Sequence, residues 1–319
     1  MRPLGLFASL SLFALSGFAC SASSREKSAS TPDAGTPVVA TIDGDSGAAT
    51  VDEDACAKMD LVFVVDNSGS MKEEQANLAT NFSVVTHKLD AFTTKGGAKL
   101  DYRVAITTTG KTAKYTIAPG GPFPPLPIDD KGDDGRFRRE CGMTRPWMER
   151  SDPSLANQFA CVANVGTSGP SLEMPLESLR LALTDRVTDG ANAGFLRDDA
   201  LLAIVVMTDE DDCSRTDQDF TIPDDTCPVG PPWVPLEDYV SALDAVKGGR
   251  ERWTGAVIAG PTSCSSAFGS AKEAARLKQF VAKSGGNVTF SSICLGDLTS
   301  ALENALASFD AACKRFKVK

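Results

Sequence analysis

The chain has 319 residues, and 32 Lys and Arg against 42 Asp and Glu give a formal net charge of −10. This charge excludes a generic nucleic-acid or anionic-membrane binder held by a basic surface. Hydrophobic residues form 42% of the chain and charged residues 23%, so the chain can bury a core instead of staying disordered. One histidine, His87, nearly excludes His-ligated metal clusters and leaves a single candidate base for a Ser/His/Asp arrangement.

Residues 1–19 have the layout of a secretory signal peptide, because Arg2 precedes the apolar run LGLFASLSLFAL and small residues follow. The run is too short for a membrane span. The segment GFAC at its end resembles the bacterial lipobox, which implies that Cys20 is lipidated. Plain secretory cleavage beside an incidental cysteine is the alternative. We expect an exported protein at the bacterial cell envelope that touches the membrane only through a lipid anchor.

Residues 20–55 are predicted to be a disordered linker. They contain no aromatic residue and are dominated by Ala, Ser, Thr, Gly, Pro and Asp. As a flexible coil the segment would reach roughly 30 to 36 Å, which suits a tether between a membrane anchor and a folded domain at residues 56–319.

Nine cysteines in an exported chain are an odd number. If Cys20 carries a lipid, eight can pair: Cys56, Cys141, Cys161, Cys213, Cys227, Cys264, Cys294 and Cys313. The chain has no CxxC spacing and one histidine, so four disulfides are favoured over a zinc site. Proximity in sequence favours the pairs Cys141 with Cys161 and Cys213 with Cys227, and the rest of the connectivity stays open.

From residue 56 onward, short apolar strands alternate with amphipathic helices. Strands are predicted at 60–66, 102–109, 200–207, 253–260 and 287–293. Among the helices, one is closed by Gly248, and another is predicted to start at a capping box of Ser270 with Glu273. The alternation indicates an α/β fold with a Rossmann-like, doubly wound, mostly parallel central sheet flanked by helices.

Two segments interrupt this alternation, residues 110–170 and residues 213–235. Each is rich in turn residues and contains a pair of cysteines, so both are predicted to be ordered, disulfide-bearing loop insertions. Trp147 and Trp233 within them are either contacts for a partner or parts of small satellite cores.

The segment DLVFVVDNSGSM places Asp66, Ser68 and Ser70 two residues apart, directly after the first strand and before a helix. It resembles the first motif of von Willebrand factor type A (VWA) domains, whose Asp-x-Ser-x-Ser belongs to a metal-ion-dependent adhesion site (MIDAS). The alternative for this motif alone is an Asx or Ser turn that caps a helix.

The other two elements of the VWA family also have counterparts in this chain, in the same order. VGTSG resembles the threonine-bearing loop, which implies Thr167 as a ligand, with the neighbouring Ser168 as its rival. IVVMTDEDD resembles the strand that ends in the last aspartate, which implies Asp209. The carboxyl ends of parallel strands meet at one edge of an open α/β sheet, so these residues are expected to converge there.

Oxygen ligands of this kind suit Mg²⁺, with Mn²⁺ or Ca²⁺ as alternatives. Two carboxylates and three hydroxyls would leave the ion incompletely compensated, so it could accept a carboxylate from a partner. The predicted function is therefore metal-ion-dependent adhesion to a protein or other envelope ligand, without enzymatic activity. The alternatives are a metal-independent interaction or structural protein of the same fold, and a nucleotide hydrolase.

The hydrolase alternative rests on AITTTGKT, which formally matches the phosphate-binding loop of P-loop nucleotide hydrolases. The loop is rich in Thr instead of Gly, and Pro119 with the prolines that follow prevents the helix whose amino terminus would hold the phosphates. We therefore disfavour a nucleotide site there.

Overall fold

The computed structural model describes residues 54, 56–224, 226–227, 232–266, 269–295 and 298–317. The predicted signal peptide, Cys20 and nearly all of the predicted linker lie outside the described residues. Within the described part of the chain, no helix combines the length and the apolar composition needed to span a bilayer.

The described residues form strands and helices in alternation. The strands are β1 (Lys58–Val65), β2 (Asp101–Thr108), β3 (Ala113–Ile117), β4 (Leu126–Asp130), β5 (Met148–Glu149), β6 (Leu201–Met207), β7 (Phe220–Ile222), β8 (Trp253–Ala259), β9 (Cys264–Ser266), β10 (Gly269–Ala271) and β11 (Val288–Ser292). The helices are α1 (Lys72–Ala91), α2 (Leu155–Val162), α3 (Pro175–Leu183), α4 (Asp185–Thr188), α5 (Leu236–Lys247), α6 (Ala275–Lys283) and α7 (Thr299–Cys313).

The central sheet has the strand order β11-β8-β6-β1-β2-β5. All its neighbouring strands are parallel except β5, which pairs antiparallel with β2. Strand β1 lies between β6 and β2, with Val65 in register with Met207 on one side and Thr108 on the other. The carboxyl ends of these three strands therefore meet at one edge of the sheet, as a doubly wound α/β fold requires.

Helices cover both faces of the sheet, which explains why its central strands are apolar runs without alternation. Leu61 and Phe63 of β1 pack in a core with α1, α2 and α7. Val62 and Val64 point to the opposite face, in a second core with α3, α5 and α6. The predicted fold class is thus confirmed.

Each of the five predicted strands is present, with ends displaced by at most two residues. The predicted end of α5 is also confirmed, because Gly248 adopts the left-handed conformation with φ of 74°. The capping box at Ser270 and Glu273 is wrong. Ser270 lies in β10, where its hydroxyl is 2.8 Å from that of Ser265 in β9, and α6 begins only at Ala275.

The two insertions fold together into a second sheet with the order β4-β3-β7. Strands β3 and β4 come from the first insertion and β7 from the second, and the rings of Tyr115 and Phe220 stack with centroids 5.2 Å apart. Strand β3 begins directly after Lys111 and Thr112, at the position where a phosphate-binding loop would continue into a helix.

Four disulfides are present, as predicted for an exported domain. They join Cys56 to Cys313, Cys141 to Cys161, Cys213 to Cys227, and Cys264 to Cys294. The second and third are the pairs favoured by proximity in sequence. The first ties the start of the domain to its last helix, and the fourth ties the β9–β10 hairpin to the segment after β11.

Trp147 belongs to a satellite of the second core and does not lie at the carboxyl edge of the sheet. Its ring packs against Phe195 with centroids 6.0 Å apart, beneath the guanidinium group of Arg103. Strand β5 next to it pairs with β2 at Arg103, near the amino end of that strand. This part of the first insertion therefore lies away from the carboxyl edge of the sheet. Trp233 is half-buried, with the guanidinium of Arg276 at 5.0 Å from its ring.

Candidate metal centre

Two buried aspartates lie side by side at the carboxyl edge of the sheet. Asp66 is the first residue after β1, and Asp209 is the second residue after β6. Because β1 and β6 are neighbours in the sheet, the two side chains contribute to one site. The Asp66 N–H donates to the Met207 carbonyl at 3.0 Å, which continues the pairing of the two strands past their ends. Exposure is 0% for Asp66 and 3% for Asp209.

The carboxylate of Asp66 is held by two uncharged donors. The Ser68 N–H donates to Oδ1 at 2.7 Å, and the Thr208 hydroxyl donates to Oδ2 at 2.5 Å. Burial nevertheless raises the pKa of Asp66 to about 7, because desolvation outweighs these hydrogen bonds and the charge of Asp209 adds to the effect.

The two serines of the motif connect Asp66 to Asp209. The hydroxyl oxygens of Ser68 and Ser70 are 3.2 Å apart. Burial raises the pKa of Asp209, and a hydrogen bond from the Ser70 side chain opposes this shift. Asp66, Ser68, Ser70 and Asp209 therefore form one continuous group of oxygen atoms.

The loop that contains Thr167 lies against this group through its backbone. The Gln75 side-chain amide donates to the Asp66 carbonyl at 2.8 Å and to the Gly166 carbonyl at 2.9 Å. The Gly169 N–H donates to the Asn67 carbonyl at 2.8 Å. Thr167 and its rival Ser168 are both solvent-exposed on this loop.

Unpaired acceptor oxygens are concentrated at this edge of the sheet. Among the described residues, six buried carboxylate or amide oxygens accept no hydrogen bond from an N–H or hydroxyl donor, and each belongs to a residue of this edge. They are Asn67 Oδ1, Glu74 Oε2, Gln75 Oε1, Glu173 Oε1, Glu173 Oε2 and Asp209 Oδ1. Buried acceptors are normally paired, so this concentration fits a site that binds a cation.

Three residues of the centre were not among those predicted from the sequence. Thr208 binds Asp66, and its position directly before Asp209 is the one signal that could have identified it. Gln75 links two loops from within α1, and nothing in its spacing distinguishes it. Glu173 is 1% exposed, and burial together with the charges of Asp66 and Glu210 raises its pKa well above the ordinary value.

A cavity of about 520 Å³ adjoins the centre on the side of Asp209. Its lining includes Ser70, Asp209, the β9–β10 hairpin, and an ion pair in which the Lys272 ammonium lies 2.6 Å from the Glu210 carboxylate. The described residues contain no group of three or more His, Cys, Asp or Glu side chains that could hold a metal ion by themselves. Hydroxyl groups would therefore have to complete any ligand set here.

No protein-family model and no curated protein matches the sequence. The structure is similar to proximal thread matrix protein 1 of the mussel byssus, with 13% identity over 80% of this chain and 48% of that chain and a TM-score of 0.39. It is also similar to the manganese-loaded TRAP protein of Plasmodium vivax, with 10% identity over 81% of this chain and 74% of that chain and a TM-score of 0.37.

A third similar structure is SpaC, a pilus adhesin of Lactobacillus rhamnosus GG, with 9% identity over 81% of this chain and 31% of that chain and a TM-score of 0.36. The chain thus spans about half the length of the mussel protein and about a third of the pilus adhesin. Likenesses at this level assign no function.

Proposed function

We propose that the chain is a metal-ion-dependent binding module of the VWA type, exported to the bacterial cell envelope and without enzymatic activity. Asp66, Ser68, Ser70 and Asp209, with Thr167 or Ser168, would hold Mg²⁺, or Mn²⁺ or Ca²⁺ in its place. The motif Asp-x-Ser-x-Ser at the end of β1 and the aspartate at the end of β6 support this proposal through their position in the fold.

The observation that carries the proposal is the set of six unpaired, buried acceptor oxygens at the carboxyl edge of the sheet. Two buried carboxylates that lie next to each other, with only uncharged donors around Asp66, repel one another unless a cation or protons are present. A hard divalent cation prefers oxygen ligands of this kind.

A cation with two carboxylates and neutral hydroxyls as ligands would retain attraction for one more acidic group. The partner is therefore proposed to be a protein or another envelope ligand that offers a carboxylate. The cavity beside Asp209 supports an approach of the partner from that side.

The metal-independent alternative shares the fold but predicts that the carboxyl edge binds no cation. A nucleotide hydrolase is disfavoured, because the residues after Lys111 and Thr112 form strand β3 and leave no helix amino terminus for phosphates.

The test is titration of the purified protein with Mn²⁺, followed by electron paramagnetic resonance of the free ion. We expect one Mn²⁺ site that competes with Mg²⁺. Addition of acetate should then lower the water-proton relaxation caused by bound Mn²⁺, because acetate replaces an exchangeable water on the ion. Absence of Mn²⁺, Mg²⁺ and Ca²⁺ binding at millimolar concentration would favour the metal-independent alternative.

A further inference from the structure

Glu173 is a buried carboxylate outside the Asp-x-Ser-x-Ser motif, in the segment between the Thr167 loop and α3. Its exposure is 1%, and no N–H or hydroxyl group among the described residues donates a hydrogen bond to either of its carboxylate oxygens. An ionisable side chain buried without a partner is costly, so its position calls for a physical explanation.

The backbone around Glu173 lies across the end of β1. The Cys213 N–H donates to the Glu173 carbonyl at 2.7 Å, and Cys213 belongs to the segment that follows β6. The Met174 N–H donates to the Thr109 carbonyl at 3.1 Å, and Thr109 directly follows β2. Since β1 lies between β6 and β2, Glu173 spans the position where β1 ends in Asp66.

The side chain of Glu173 is directed into the protein, since almost none of its surface reaches solvent. The charged groups that act on it there are Asp66 and Glu210, both of them acidic, and the Glu210 side chain lies within hydrogen-bonding reach of Glu173. When no cation is bound, burial of a third acidic side chain beside two others is electrostatically unfavourable. A nearby cation would make the same negative charge favourable.

We infer that Glu173 is an outer acceptor of the cation centre, which adds a third negative charge behind Asp66 without being a direct ligand of the ion. This inference rests on the proposed function. An outer role agrees with the absence, among the described residues, of three acidic side chains close enough to hold an ion by themselves. Groups outside the direct ligand set commonly change metal affinity by about 10- to 100-fold.

The first test compares Glu173→Gln with wild type by Mn²⁺ titration and by thermal unfolding in chelator. We expect Mn²⁺ affinity to fall by about 10- to 100-fold, because the charge is lost while the shape is kept. We expect no decrease in Tm without metal, because the substitution removes a buried charge that has no cationic partner. Glu173→Asp, which keeps the charge, should bind Mn²⁺ more tightly than Glu173→Gln.

Glu177→Gln is the matched control, because Glu177 is a buried glutamate only four residues away. Its carboxylate is paired with Arg180 at 2.9 Å and accepts a hydrogen bond from Tyr239 at 3.3 Å. We expect this variant to show the opposite behaviour, with a lower Tm and unchanged Mn²⁺ affinity.

A second readout separates charge from shape. Removal of one negative charge weakens the attraction for a trivalent ion more than for a divalent ion, because Coulomb energy scales with the product of the charges. We therefore expect Glu173→Gln to lose La³⁺ affinity by a larger factor than Mn²⁺ affinity. A structural disturbance of the ligands alone would not produce this order.

The outcomes distinguish this inference from the proposed function. If wild type binds Mn²⁺ and Glu173→Gln binds it equally well, the inference is wrong and the proposed function stands. If wild type binds none of Mn²⁺, Mg²⁺ and Ca²⁺, both are wrong. A Glu173→Gln variant that fails to fold also overturns the inference, since it would show that Glu173 stabilises the fold without a cation.

Discussion

Two buried aspartates at opposite ends of β1 have very different surroundings. Asp60 accepts hydrogen bonds from Arg197, from its N–H at 2.7 Å and from its guanidinium Nε at 2.8 Å. Among the described residues, Asp66 accepts hydrogen bonds only from Ser68 and Thr208, and both donors are uncharged. Removing one partner of a buried ion pair destabilises the fold because the other charge is left uncompensated, whereas removing a buried carboxylate without a cationic partner leaves no such charge behind. Asp60 is therefore structural, and Asp66 is available to bind an ion.

The substitution Asp66→Asn should abolish cation binding and leave the fold intact. Asparagine keeps the size of the side chain and one acceptor, but it removes the charge that would attract the ion. We expect Mn²⁺ affinity to fall by about 100-fold or more, with no decrease in the free energy of unfolding in chelator at pH 8. Mn²⁺ titration and urea unfolding of the same preparation measure the two effects.

The matched control is Asp60→Asn, at the other end of the same strand. Loss of the charge leaves Arg197 without its buried partner, so we expect the free energy of unfolding to fall by about 2 to 4 kcal/mol. The Mn²⁺ affinity should remain that of wild type. A loss of Mn²⁺ binding in both variants would show that binding reports stability and not the residues of the centre.

At the scale of secondary-structure elements, the second sheet makes the two insertions one unit. Strand β7 of the second insertion pairs with β3 of the first, and the guanidinium of Arg215 lies 4.1 Å from the Phe220 ring centroid on this sheet. The Cys213 to Cys227 disulfide closes the second insertion next to the same sheet. Neither insertion can be exchanged alone without loss of strand pairing.

Phe220→Ala should loosen both insertions together and spare the cation centre. The substitution removes the stacking on Tyr115 and leaves a cavity, at a cost of about 3 kcal/mol to the local sheet. We expect faster hydrogen exchange in both β3 and β7, while Mn²⁺ affinity stays within about two-fold of wild type. Faster exchange in β7 alone would contradict the coupling of the insertions.

The central strands could be predicted from the sequence because strands buried on both faces are continuous apolar runs. The second sheet could not, since β7 has only three residues and pairs with a segment about a hundred positions earlier in the chain. The capping box at Ser270 failed for a related reason. Its local pattern was sound, but the disulfide-linked hairpin of β9 and β10 overrides local helix preference.

The site shows the same division between local and distant information. The residues of the Asp-x-Ser-x-Ser motif are adjacent in sequence, so their convergence was predictable once β1 was recognised. Glu173 could not be predicted, because its place depends on two backbone hydrogen bonds to segments that follow other strands. The assignment of Thr167 or Ser168 remains a prediction.

At the scale of the whole molecule, one disulfide closes the folded domain. The bond between Cys56 and Cys313 spans 257 residues, and it restricts the unfolded chain far more than the bond between Cys213 and Cys227, which spans 14 residues. The two bonds are therefore expected to differ in their contributions to stability.

Removal of the long-range bond by Cys56→Ser with Cys313→Ser should lower the free energy of unfolding by about 5 to 6 kcal/mol. Removal of the short bond by Cys213→Ser with Cys227→Ser should cost about 3 kcal/mol. Urea unfolding of the two double variants under non-reducing conditions measures the difference. The reverse order would show that strain or structure in the unfolded chain dominates over loop entropy.

The ninth cysteine allows a test of the proposed anchor. Eight cysteines are consumed by four disulfides, and Cys20 remains in a part of the chain outside the described residues. If Cys20 carries a lipid, the mature protein should begin at this residue, show no free thiol after denaturation without reductant, and sediment with membranes.

Cys20→Ser should move the protein from the membrane fraction to the soluble fraction while Mn²⁺ affinity stays unchanged, because the centre lies in the folded domain. One acyl chain gives only marginal membrane binding, so intact mass should show at least two acyl chains at the amino terminus of the wild-type protein. An unmodified amino terminus at Ser21 or beyond would contradict lipidation and favour plain secretory cleavage. The net charge of −10 for the whole chain disfavours electrostatic attraction to an anionic membrane as a replacement for the lipid.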